Sequence, residues 1–183
     1  MPSMIRIQME LPVDVINKTY SYLQNLMVNE SEQIDYNPLS EWRLILATVR
    51  DFDDEAVPVI RDYARSACKV MRSIGLSITM AAIDKAGNIS LPISGSVSEL
   101  EACISHINDK FKSRTDFNIG FNTNQRIIVG RILNNKEERT MNFRRPVSWT
   151  ANSIYLTNPG DNGFDQRLFV IFLDGGKDAA VHG

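Results

Sequence analysis

The hydrophobic period of this 183-residue chain switches repeatedly between two and about 3.6 residues, which excludes an all-helical or an all-strand fold. Met4 to Leu11 sets Ile5, Ile7 and Met9 against Arg6, Gln8 and Glu10, the alternation of a strand with one buried face. From Pro12 to about Met27 the spacing lengthens. Val15, Ile16, Tyr20, Leu23 and Met27 fall on one helical stripe, and proline suits a first helical turn. Residues 28–41 are polar, contain Asn37-Pro38 and read as a surface loop. Trp42 to Val49 reads as a buried strand. Asp53 and Asp54 then open a helix to about Arg72, since acids suit the positive end of the dipole and Pro58 is tolerated early.

Leu76 to Ile83 and Ile89 to Ile93 predict a hairpin around Lys85-Ala86-Gly87-Asn88. Ser96-Val97-Ser98-Glu99 matches a capping box ahead of a helix with Leu100, Ile104, Ile107 and Phe111 on one face. After a polar stretch, strands are predicted at Arg126–Leu133, Val147–Trp149, Ile154–Leu156 and Leu168–Leu173, with the turn-rich run Asn158 to Gly163 before the last. The order β-α-β-α-β-β-α followed by strands implies an α+β domain with an antiparallel-rich sheet and outer helices. Regular βαβ spacing and a glycine-rich phosphate loop are both missing, which disfavours a Rossmann or P-loop enzyme.

Composition narrows the function classes. With 43% hydrophobic residues and no Pro/Gly/Ser-rich linker, the chain can bury one core, so residues 1–174 are expected to form one domain and 175–183 a disordered tail. A net charge of −2 and a pI near 5.7 argue against coating long nucleic acid, and favour a small or short ligand. The apolar runs are too short to span a bilayer and the N-terminus has no secretory pattern, so no membrane association is expected. Cys68 and Cys103 lack metal-ligand spacing and read as buried thiols of a reducing, cytoplasmic compartment.

Two short apolar segments stand out because each is led by arginine: Arg43-Leu44-Ile45-Leu46-Ala47 and Arg126-Ile127-Ile128-Val129-Gly130-Arg131. Met4 to Val15 with Leu23-Gln24 resembles the opening strand, Leu-Pro turn and first helix of the LigT-like two-histidine (2H) phosphoesterases, which include the RNA 2',3'-cyclic phosphodiesterases once called 2'-5' RNA ligases. Leu44, Leu46 and Ala47 resemble the apolar frame of that family's first His-x-Thr motif, and Asp53 to Ala56 the helix start after it. Val129-Gly130-Arg131 resembles the tail of the second motif, while Phe143 to Leu156 and Phe169 to Leu173 resemble the last strands. The resemblance implies a bilobal fold in which each lobe gives one motif to a shared phosphate site. Arg43 and Arg126 then stand at the histidine positions, and Ile45 and Ile128 at the hydroxyl positions.

The chemistry of such a site follows from those residue types. Opening a cyclic phosphate needs one group to take a proton and another to give one near the working pH. Arginine stays charged and cannot do either, so no catalytic residue is assigned and the chain reads as a pseudoenzyme. Its planar fork of donors nevertheless suits phosphate. Arg43, Arg126, Trp42 and Arg131 are therefore candidates for binding an RNA end, a short oligonucleotide or a cyclic nucleotide, with no cofactor or metal. Structural pairing of the two arginines with acids such as Glu41 or Asp51 is the competing reading, in which the chain is an interaction or assembly protein with a protein partner. A third is a phosphodiesterase using other groups.

The remaining signals are weaker. His106 lies within a helix with no second base nearby and His182 within the tail, so both read as bystanders. Trp149, beside Val147, reads as core, whereas Trp42 follows polar Ser40-Glu41 and could stack on a base. Residues 126–145 carry six basic residues against Glu137 and Glu138, while residues 30–62 carry nine acids against three arginines. One face can thus attract phosphate while another repels it.

Overall fold

A computed structural model describes residues 4–114, 117–135, 137–160 and 165–173. In chain order these form β1 (Met4–Glu10), α1 (Val13–Leu26), β2 (Ile34–Tyr36), β3 (Arg43–Arg50), α2 (Val57–Cys68), β4 (Ile74–Ile83), β5 (Asn88–Gly95), α3 (Val97–Phe111), β6 (Asn118–Phe121), β7 (Arg126–Ile132), β8 (Arg139–Ala151), β9 (Ser153–Pro159) and β10 (Asp165–Phe172). The tail, including His182, and residues 161–164, which take in the end of the turn-rich run, lie outside the described residues.

The strands make two antiparallel five-stranded sheets, ordered β10-β9-β1-β3-β6 and β2-β7-β5-β4-β8, so the α+β expectation holds. In the first sheet the two-residue period sends Ile5, Ile7, Met9, Leu44, Leu46 and Val49 into a common core. The opposite face carries Arg6, Gln8, Glu10, Arg43, Ile45, Thr48 and Arg50. Helices α2 and α3 pack on one another, and α1 lies against β8. Cys68 on α2 and Cys103 on α3 are buried and free; a hydrogen bond between the two thiols and burial push Cys68 well above its ordinary value. No helix among the described residues is long and apolar enough to cross a membrane.

The structure departs from the sequence-based expectations at several local points. The 28–41 loop contains two 3-10 turns and β2, and the polar stretch before β7 contains β6. Both strands sit at sheet edges, where one-sided pairing demands little apolar alternation. The second helix begins at Val57 after a 3-10 turn and ends at Cys68, short of Arg72. Ser96 occupies the N-cap of α3 but makes no side-chain capping bond; its carbonyl accepts from Glu99 N (3.1 Å) and Leu100 N (3.2 Å) instead. The strand expected at Val147–Trp149 is the end of a 13-residue β8 that includes buried Phe143.

Candidate functional site

The two arginine-led segments occupy equivalent places in the two sheets. β3 is fourth in the order β10-β9-β1-β3-β6, and β7 is fourth in the second sheet counted from β8. Each pairs with a strand whose register breaks at the matching place. Ile7 faces Ala47 and Gln8 faces Ile45, while Ile89 faces Gly130 and Ser90 faces Ile128. Each bulge inserts one extra residue, Leu46 or Val129, and so resets the alternation. Arg43, Ile45 and Thr48 therefore share the outer face of β3, as Arg126, Ile128 and Arg131 share that of β7.

Two asparagines finish the correspondence. Asn122 donates its backbone N–H to Leu46 O (3.0 Å) and its side-chain amide to Ile45 O (2.9 Å). Asn37 does the same to Val129 O (2.9 Å) and Ile128 O (3.2 Å). The carbonyls that a bulge leaves without a ladder partner are thus satisfied from outside the ladder. The segments supplying them are exchanged: β2, which leads into β3, edges the second sheet, and β6, which leads into β7, edges the first. The approach of β2 needs Gly130, since a Cβ there would lie 2.6 Å from Asp35 O and 2.9 Å from Tyr36 Cα.

The two arginines differ in their surroundings. The Arg43 side chain is 10% exposed and forms an ion pair with Asp165, itself 8% exposed. Asp165 also accepts from Arg6 Nη1 (3.0 Å) and from Thr157 Oγ1 (3.1 Å). The acids suggested by sequence proximity, Glu41 and Asp51, are not the partners: Asp165, 122 residues away, is. Arg126 is exposed and its side chain makes no hydrogen bond or ion pair among the described residues. The Asp84 carboxyl lies below its ordinary value because Asn88 donates to it from side chain (2.8 Å) and backbone (2.9 Å), with the Arg126 charge a smaller contribution. Arg131 donates from Nε to Ala86 O (3.0 Å) in the β4–β5 turn.

Trp42 is 2% exposed, edge-on to Tyr20, and its indole N–H donates to Asn37 O (3.2 Å). So little surface lets it bound a cavity but not stack on a base. Trp149 is buried, as expected. His106 is exposed on α3. Ile128 is 41% exposed, which leaves an uncovered apolar side chain next to Arg126.

Two cavities of about 270 Å³ open on the polar face of the first sheet. One is bounded by Gln8, Trp42, Arg43, Asp165 and Arg167. The other holds Ile45, Thr48, Arg50, Phe121 and Asn122. Arg126 lines neither, although β3 and β7 approach each other across the sheet junction. Around these cavities Arg6, Arg43, Arg50 and Arg167 outnumber Glu10 and Asp165, so this face is positive on a chain whose net charge is −2. Arg167 grips Glu10 through Nε (3.0 Å) and Nη2, and that bond holds its guanidinium above its ordinary value. Among the described residues no group of three His, Cys, Asp or Glu is placed to hold a metal ion.

No protein-family description and no curated protein sequence matches the chain. Solved structures do. E. coli LigT complexed with NADP+ superposes with a TM-score of 0.72 at 11% identity, covering 94% of this chain and 99% of that one. The same protein with 3'-AMP gives 0.69 at 13% identity, over 95% and 99%. TT0787 of Thermus thermophilus gives 0.67 at 10% identity, over 95% and 100%. The doubled sheet and this end-to-end agreement establish that the chain has the LigT fold.

Proposed function

We propose that this chain is a LigT-fold pseudoenzyme that binds a phosphate-bearing ligand, an RNA end, a short oligonucleotide or a cyclic nucleotide, at the junction of β3 and β7. The observation that carries this reading is the equivalence of the two strands. Bulge, asparagine brace and outward face agree, and in both strands arginine leads and isoleucine follows two residues on. Guanidinium groups at both places can supply charge-assisted hydrogen bonds to phosphate oxygens, but neither can carry a proton to or from them. The positive face around Arg43 and Arg50 supports an anionic ligand. That LigT has been crystallised with 3'-AMP, NADP+, ATP and phosphate supports phosphate recognition as a use of this fold.

One observation favours a second reading. Arg43 is held by Asp165 inside the fold, as an arginine kept for stability would be, and the chain would then be an interaction or assembly protein. Calorimetric titration with nucleoside monophosphates and short RNAs separates the two. Binding that is lost in Arg126→Ala, without turnover of a 2',3'-cyclic nucleotide, supports the pseudoenzyme. Absence of any binding heat refutes it, and turnover refutes the loss of catalysis.

A further inference from the structure

Arg43 and Arg126 each stand at the first residue of a strand that is paired there on one side only, with Glu10 and Pro92 respectively. β6 reaches β3 at Ala47–Arg50 and β2 reaches β7 at Gly130–Ile132, so among the described residues neither edge strand extends back to the arginine. Pro92 has no N–H to give, and the Arg126 N–H turns instead to Asn124 O (2.8 Å) in its own approach loop. A strand end with so few ladder bonds frays unless something else ties it down.

Two hydrogen-bond relays supply the tie, and they run crosswise. From the β3 bulge, Ile45 O accepts from Asn122 Nδ2 (2.9 Å), Asn122 Oδ1 accepts from Asn124 N (3.1 Å), and Asn124 O accepts from Arg126 N. From the β7 bulge, Ile128 O accepts from Asn37 Nδ2 (3.2 Å), and Asn37 O accepts from the indole N–H of Trp42, the residue before Arg43 (3.2 Å). The strand of each arginine thus anchors the approach to the other. We infer that Asn122, and Asn37 together with Trp42, are positioning residues that fix Arg43 and Arg126 relative to one another, so that a phosphate-bearing ligand meets them as one preorganised pair. The inference rests on the reading above, because it concerns how that same site keeps its geometry. It also gives Trp42, too buried to stack on a base, a part in the site.

Titration calorimetry with AMP and inorganic pyrophosphate, carried out well below the Tm of each variant, tests the relays. Asn122→Ala, and Trp42→Phe, which keeps a ring against Tyr20, are each expected to weaken binding about threefold to tenfold, part of what a charge-assisted bond contributes. Asn122→Ser keeps an acceptor for Asn124 N but is too short to span to Ile45 O, so it is expected to bind as weakly as Asn122→Ala. Ile107→Val, in the buried face of α3 and remote from both strands, lowers stability without cutting a relay and is expected to leave affinity within about twofold. Unchanged affinity in folded Asn122→Ala and Trp42→Phe, rescue by Asn122→Ser, or an equal loss in Ile107→Val overturns the relays and leaves phosphate binding standing. Silence of the unaltered protein toward both probes overturns the phosphate reading itself, and this inference with it.

Discussion

Replacing Asp165 with alanine should weaken the fold and strengthen its hold on anions at the same time. The carboxylate bridges Arg6 and Arg43 and accepts from Thr157, with Asp165 8% and Arg43 10% exposed. Removing one partner of a fully buried pair costs about 3–5 kcal/mol, because the other charge is left without compensation. Arg6, 25% exposed, can turn to water, and Arg43 borders a cavity that water can enter, so about 2–4 kcal/mol is the better figure. For a chain of 183 residues this corresponds to a fall in Tm of about 5–15 °C in phosphate-free buffer. Asp165→Asn keeps an acceptor and should lose about half as much. Added phosphate can take the place of the missing carboxylate between Arg6 and Arg43, so it should raise the Tm of Asp165→Ala more than that of the unaltered protein. Scanning calorimetry with and without phosphate reads both effects. A Tm within about 1 °C of the original would show that the bridge contributes nothing, and equal phosphate responses would show that it does not occupy an anion site.

Asn37→Ala and Asn122→Ala each remove one side-chain bond from a bulge carbonyl and should cost about 1 kcal/mol in urea unfolding, Asn122→Ala the more because its Oδ1 also accepts from Asn124 N (3.1 Å). Gly130→Ala should destabilise by about 1–3 kcal/mol, since its Cβ would meet the backbone of β2, and amide exchange in β2 should quicken. Cys68 and Cys103, both buried, should resist an aromatic disulfide reagent until the chain unfolds, and raising the pH to about 9 should not release Cys68, because its bond to Cys103 and burial hold it in the thiol form. Asp84, whose carboxyl is held low by Asn88, stabilises the folded state above the ordinary aspartate range and loses that effect as pH falls through its lowered value. Asn88→Ala should flatten that acid limb in urea titrations across the range.

The parts of the fold legible in the sequence are those whose signal is local. β1 announces itself by strict alternation over Ile5, Ile7 and Met9, and α3 by Leu100, Ile104, Ile107 and Phe111 on one stripe. The correspondence of Arg43 with Arg126 is also visible, because each leads an apolar strand of similar composition. What stays hidden depends on distant partners. Asp165 lies next to a turn-rich run and gives no sign that it will meet Arg6 and Arg43, 159 and 122 residues away. Gln8 reads as the solvent side of an alternating strand, yet it is 1% exposed, at the wall of the cavity that Trp42, Arg43 and Asp165 also bound. β2 and β6 are three and four residues long, too short for a two-residue period to stand out, and only the bulged strands beside them explain their existence.

The exchange of β2 and β6 between the sheets has a consequence for how the chain reaches its native state. Ile34 meets Ile132, Val49 meets Ile119 and Arg6 meets Thr157, so neither sheet is complete until almost the whole polypeptide has emerged. Such pairings carry a large loop-closure cost before they yield any return, which places the protein among slow folders. Neither half can serve as a template for the other, since each lacks the edge its counterpart provides. Native-state hydrogen exchange should accordingly find β3 and β7 opening together at one free energy, a single cooperative unit built from a doubled plan.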